Sequence, residues 1–137
     1  MKTKYVVIIQ CDIAHGRCSG FACTNAFYNR DEVFENYNEA TRYISFTCGG
    51  CCGKRIAAKL EHFSKKLYTK NKINKDEVVV HLSSCMVHDN YHYDRCPHAD
   101  DIKSIVLKKG YKNIIEGSYI SGNAKKKREE GQYNCYE

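Results

Sequence analysis

The sequence predicts a single three-layer α/β domain with about four parallel strands. Short apolar runs alternate with helix-like segments along the chain, the pattern of crossover connections that build a parallel sheet. One of those runs, Glu77 to Ser83, is too apolar to leave a face in water, as expected of a central strand covered on both sides. Length agrees, because 137 residues of which 42% are hydrophobic suit one compact domain with one core.

The first strand is expected over Lys4 to Gln10. A short helix follows at Phe21 to Asn29, and an irregular or helical stretch, Asp31 to Tyr37, returns the chain to a second strand at Arg42 to Thr47. The second helix has the clearest signature: Ile56, Leu60, Phe63 and Leu67 recur at intervals of four, three and four and make one apolar face, with Lys65, Lys66 and Lys70 mostly away from it. The third strand is expected over Glu77 to Ser83. A third helix, about Asp101 to Lys109, stops near Gly110, and Asn113 to Tyr119 makes a fourth strand. The domain spans residues 1–121, and residues 122–137 form a polar, charged tail that carries Cys135.

Three of these strands run into a cysteine: the first into Cys11, the second into Cys48, and the third, through Ser83-Ser84, into Cys85. In a parallel sheet such positions share the carboxyl edge, where open α/β folds place ligands. Nine cysteines are many for a chain of this length, and in a reducing compartment they serve more often as metal ligands or redox groups than as disulfides. A single free cysteine is equally well a small buried hydrophobe. The clustering is what favours a sulfur site.

Its centre is Cys48-Gly-Gly-Cys51, followed by Cys52-Gly-Lys-Arg55. Two intervening residues let both sulfurs turn toward one point, and the glycines remove side chains that would block the turn. The helix that begins next favours thiolate over thiol at its amino end, aided by Lys54 and Arg55. Around this pair stand Cys11 and Cys85 at strand ends, Cys18 and Cys23 in the first connection, and Cys96-Pro-His98 in the loop of roughly sixteen residues from Met86 to Asp101. The candidate metal ligands are therefore Cys11, Cys18, Cys23, Cys48, Cys51, Cys85, Cys96 and His98, enough for one four-ligand site with spare thiols or for two sites. Zinc takes cysteine and histidine in tetrahedral geometry, whereas an iron-sulfur cluster would use mostly thiolates. The histidine in this set tilts the expectation toward zinc.

Taken together, the first strand ending in Cys11, Arg17-Cys18-Ser-Gly20 with Cys23, Phe46-Thr-Cys-Gly-Gly-Cys51, Leu82-Ser-Ser-Cys85, Cys96-Pro-His98 and Ile115-Glu-Gly117 resemble the CGGC-domain proteins. The resemblance spans about residues 5 to 119. It implies a small prokaryotic domain whose abundant cysteine and histidine suggest zinc binding, and it transfers no reaction. Two positions depart from that pattern: Cys52 stands where proline is expected, and Tyr119 where histidine would be common. The first adds a thiol beside the site, and the second removes a possible ligand.

Two other chemistries remain open. Cys11-Asp-Ile-Ala-His-Gly-Arg17 fits the Cys-x5-Arg phosphate loop of low-molecular-weight tyrosine phosphatases and arsenate reductases, with Cys11 as nucleophile, Arg17 on the oxyanion and Asp94 as acid. That loop has one glycine, and Cys18 replaces the hydroxyl residue that would assist the thiolate. Cys48 with Cys51 could instead exchange disulfides, given an exposed attacking sulfur. Among the histidines, His81 lies in a buried strand and reads as a hydrogen-bonded core or cleft residue, and His62 as surface. His88 and His92, four residues apart, are second-rank ligand candidates, and His15 in the first loop is not counted among the ligands. No catalytic assignment follows from the sequence.

Charge and hydropathy narrow the partners. The net charge of +6 is spread over many lysines, and the dense run Lys125-Lys-Lys-Arg128 is followed at once by Glu129 and Glu130, which favours a solvated end over a nucleic-acid groove. No apolar stretch approaches the roughly 18 to 20 residues that cross a bilayer. The start, Met1-Lys-Thr-Lys4, imitates a secretory signal, but its apolar run is short and ends in Gln10, Cys11 and Asp12, so a cytoplasmic chain is expected. The expected architecture is doubly wound and flavodoxin-like, with strand order 2-1-3-4. Flavin is the usual tenant of that fold, but here cysteines occupy the first loop in place of a hydroxyl-rich phosphate cradle.

Overall fold

A computed structural model describes residues 3–10, 19–49, 54–83 and 99–118. In chain order the elements are β1 (Tyr5–Gln10), α1 (Phe21–Asn29), β2 (Arg42–Thr47), α2 (Lys54–Asn71), β3 (Val78–Leu82), α3 (Ala99–Lys108) and β4 (Asn113–Glu116). The four strands form one parallel sheet in the order β2-β1-β3-β4, as the sequence predicts. Among the described residues, no helix is long and apolar enough to cross a membrane.

The sheet has a core on each face because its central strands are apolar on both sides. Val7 and Ile9 of β1, with Val78, Val80 and Leu82 of β3, pack under Ile56, Leu60 and Leu67 of α2 and Ala99, Ile102 and Val106 of α3. The alternate residues Val6 and Ile8 face Ala26 and Phe27 of α1 and Phe34, which lies in a short 3-10 turn, Glu32–Phe34. Val6 through Ile9 are all sealed from solvent, the condition under which a parallel strand reads as a continuous apolar run. Tyr111 closes the α2–α3 side: its ring is buried, its hydroxyl donates to the Leu60 carbonyl at 3.0 Å, and burial pushes its pKa up to about 12.

Local chemistry sets the element boundaries. α1 ends at Arg30, whose φ of 57° is left-handed and whose backbone N–H reaches the Ala26 and Phe27 carbonyls. The Arg30 guanidinium donates to the carbonyls of Phe27, Asn38 and Thr41 and lies 4.1 Å above the Phe27 ring, so one side chain ties the end of α1 to the segment that enters β2. β3 begins at Val78 rather than Glu77, because Lys75–Glu77 form a 3-10 turn in which the Glu77 carboxylate accepts from the Asn74 N–H. β4 stops at Glu116, short of Tyr119, where Gly117 turns to a φ of 133°. α3 starts at Ala99, two residues earlier than the sequence suggests.

His81 is the buried polar residue at the centre of the second core. It is fully buried on β3, with Nδ1 2.9 Å from the Gly117 carbonyl, Nε2 2.6 Å from the Tyr37 hydroxyl and the Phe34 ring 4.9 Å away. A carbonyl can only accept, so Nδ1 carries the proton and Nε2 accepts from Tyr37. Both ring nitrogens are thereby satisfied in the neutral form, in accord with the reading of His81 as a hydrogen-bonded core residue. Desolvation lowers the His81 pKa below 6.5, opposed by the bond to Gly117, and burial raises that of Tyr37 to about 12.

A pH dependence follows. Because the folded state resists protonating His81, the unfolded chain binds more protons once pH falls below 6.5; the stabilising effect is complete above that pH and is lost as pH drops through the depressed folded value. Denaturant melts across this window are expected to show a steeper acid loss of stability in the wild type than in His81→Gln. Parallel pH profiles would contradict the assignment.

Candidate functional site

The strand register aligns the carboxyl ends of the sheet. Gln10 pairs with Thr47 and Ile9 with Leu82, while Leu82 pairs with Glu116. Beyond the strands the ladder continues by one bond each: Cys48 N–H to the Gln10 carbonyl at 3.0 Å, Ser83 N–H to the Ile9 carbonyl at 2.9 Å, and Gly117 N–H to the Leu82 carbonyl at 2.7 Å. Cys48 is thus fixed by its backbone to the last residue of β1, the one to which Cys11 is joined in sequence.

The Cys48 thiol is not part of a disulfide and is buried, packed in the core cluster with Val7, Ile9 and Ile56. The carbonyls on either side of it are each held by a cation from α2: Lys59 Nζ donates to Thr47 O at 3.0 Å, and Arg55 Nη1 to Gly49 O at 3.0 Å. Gly49 between them has a φ of 77°, and a Cβ there would come within 3.0 Å of the Arg55 Cβ. The turn after β2 therefore needs glycine for its backbone and for the passage of Arg55. Arg55 stood in the sequence beside the motif, but Lys59 was missed. Its signal is the four-residue spacing from Arg55, which places both on the same helical face.

Cys23, the other described candidate ligand, is likewise outside any disulfide. It sits half-buried in the first turn of α1, with Sγ 3.2 Å from the hydroxyl of Ser118, a buried residue just beyond β4. Cys48 belongs to the core under α2 and α3 and follows the outer strand β2; Cys23 lies on α1, across the sheet, and contacts the chain after the opposite outer strand, β4. Three inter-strand spacings, on the order of 14 Å, separate those outer strands. Among the described residues, no group of three or more histidine, cysteine and acidic side chains converges to hold a metal ion.

Cys11, Cys18, Cys51, Cys85, Cys96 and His98 lie outside the described residues, as do Arg17 and Asp94 of the phosphatase reading. So do Cys52, His15, His88, His92, Tyr119 and Cys135. His62 is exposed on α2, as expected of a surface residue.

The Gly49 geometry makes a direct prediction. Gly49→Ala places a side chain at left-handed φ against the stem of Arg55, and about 1 to 3 kcal/mol of folding stability is expected to be lost in thermal or denaturant melts. An unchanged melting temperature would show that the turn does not hold this conformation.

Comparison with curated proteins and with solved structures finds no match. Comparison with family models matches the CGGC domain over residues 5–119, which takes in all four strands, all three helices and every candidate ligand. This chain belongs to the CGGC domain family.

Proposed function

We propose that the chain is a metal-binding module whose site is built from cysteines at the carboxyl edge of the sheet, with zinc as the metal. One observation carries this reading: the Cys48 N–H is bonded to the Gln10 carbonyl, so the backbones that lead to Cys11 and Cys48 run side by side at the end of β1 and β2. The donor chemistry fits zinc, which is held by thiolate and imidazole in tetrahedral sites. Cys48 and Cys51 form the core pair, and Cys11 and Cys85 are the next donors because they follow the two central strands. Cys18, Cys96 and His98, which the sequence sets in the connections after β1 and β3, complete the candidates, and Cys23, held against Ser118 on the α1 side, would serve a separate site.

Each residue has a definable role in such a module. Gly49 allows the turn that would bring the second thiol of the motif back toward the first. Arg55 and Lys59 lock the backbone on both sides of Cys48 and place two positive charges next to a group of thiolates, offsetting part of its negative charge. Bound zinc supplies Lewis acidity where a coordination position stays open and rigidity where four protein ligands close it.

Elemental analysis of protein purified anaerobically without an affinity tag tests the proposal. Stoichiometric zinc is expected in the wild type and its loss in Cys48→Ser and in Cys51→Ser. Full metal content in both variants would overturn the ligand assignment, and stoichiometric iron with sulfide would replace zinc by a cluster.

A further inference from the structure

A groove of about 590 Å3 lies between α2 and the outer strand β2, lined by Tyr5, Ile44, Phe46, Phe63 and Leu67. It exists because α2 roofs the central strands and stops short of the outer one. Ile44 and Phe46 are the register partners of Val7 and Ile9 and share their face of the sheet, yet Val7 and Ile9 are sealed while Ile44 and Phe46 remain half-exposed. Tyr5 and Phe63 meet edge to face at 5.2 Å in the groove and are likewise only partly covered. The volume is that of a small-molecule site.

The rim has one sign of charge. Lys59, His62, Lys66 and Lys70 follow one another at intervals of three, four and four residues along α2 and border the groove over about 16 Å of helix, and among the described residues no carboxylate lines it. The ion pairs among the described residues use Lys4, Lys65, Lys103 and Lys109. Lys66 and Lys70 have no carboxylate partner within that set. Lys59 is engaged already, with its ammonium on the Thr47 carbonyl and 5.5 Å above the Phe46 ring. Lys66 and Lys70 are exposed, away from the buried face of α2 as expected, and there they edge an apolar surface that the helix does not finish covering.

We propose that this groove binds an anionic amphiphile, a long-chain carboxylate of fatty-acid type. Its hydrocarbon covers Tyr5, Ile44, Phe46 and Phe63, and its carboxylate is held by Lys66 and Lys70. Charge complementarity selects this occupant. A second copy of the chain would oppose one lysine ridge to another, and the basic run Lys125–Arg128 has the same sign as the ridge. An uncharged apolar ligand would leave the two free ammonium groups unused.

Calorimetric titration of the full-length protein with dodecanoate, below its micelle-forming concentration and at physiological salt, tests the proposal. Saturable binding at a single site is expected, weaker for dodecanol. The double variant Lys66→Glu/Lys70→Glu is expected to lose affinity on the order of tenfold, the sum of two exposed charge contacts reversed in sign, with its circular dichroism unchanged. Ala58→Trp, at an exposed groove position, is expected to block binding by occupying the groove. Absence of saturable binding, or equal affinity in wild type and double variant, would overturn the assignment. Sedimentation showing a wild-type dimer that Ala58→Trp dissociates would overturn it in favour of self-association.

Discussion

Two adjacent strands with apolar side chains on both faces cannot be left against water, and the rest of this molecule is arranged to cover them. β1 and β3 supply that constraint: Val6 to Ile9 and Val78 to Leu82 alternate between two cores, one roofed by α2 and α3, the other by α1 and the turn at Phe34. Helices on both faces require each strand to be reached by a crossover, and crossovers make all four strands run the same way. A common carboxyl edge is the outcome, and the connections leaving it hold most of the cysteine in the chain. That shared edge is a consequence of how the core is sealed.

The same packing explains why the edge can be rigid where its loops begin. Cys48 is one residue past β2, yet it is inside the ladder through Gln10 and inside the core through Ile56. α2 contributes twice, since the turn of helix that buries Ile56 and Leu60 also carries Arg55 and Lys59 to the carbonyls around Cys48. A thiol held this way would lose little further freedom on meeting a metal, which is what preorganisation of a ligand requires. Farther along, the same helix presents its lysines beside the uncovered part of β2. One element thus bears on both proposed sites, and its position over β1 rather than β2 decides the second.

Much of this could be read from residue order, and the reasons for the rest are specific. Strand order followed from the doubly wound alternation of strand and helix, and the apolar face of α2 from its periodicity, because that helix buries one stripe outright. Boundaries slipped where short-range chemistry competes with propensity: the Asn74–Glu77 bond draws Lys75–Glu77 into a 3-10 turn before β3, and Gly117 ends β4 early. His81 was recognisable as a core residue, but its partner was not, since Tyr37 comes from an irregular segment whose fold no period reports. The groove was invisible for a related reason. A helical repeat tells which face is apolar and says nothing of how many strands that face spans. At the carboxyl edge, strand ends and Cys48 could be anticipated from the motif, whereas the split that sets Cys23 across the sheet from Cys48 depends on tertiary placement of α1.

The central claim is that sulfur gathered at the carboxyl edge holds a metal ion, and X-ray absorption at the metal edge of the purified protein tests it most directly. The account predicts a first shell dominated by sulfur at about 2.3 Å, the zinc–thiolate distance. A first shell made only of oxygen and nitrogen scatterers, or protein that carries no metal to absorb, would contradict it.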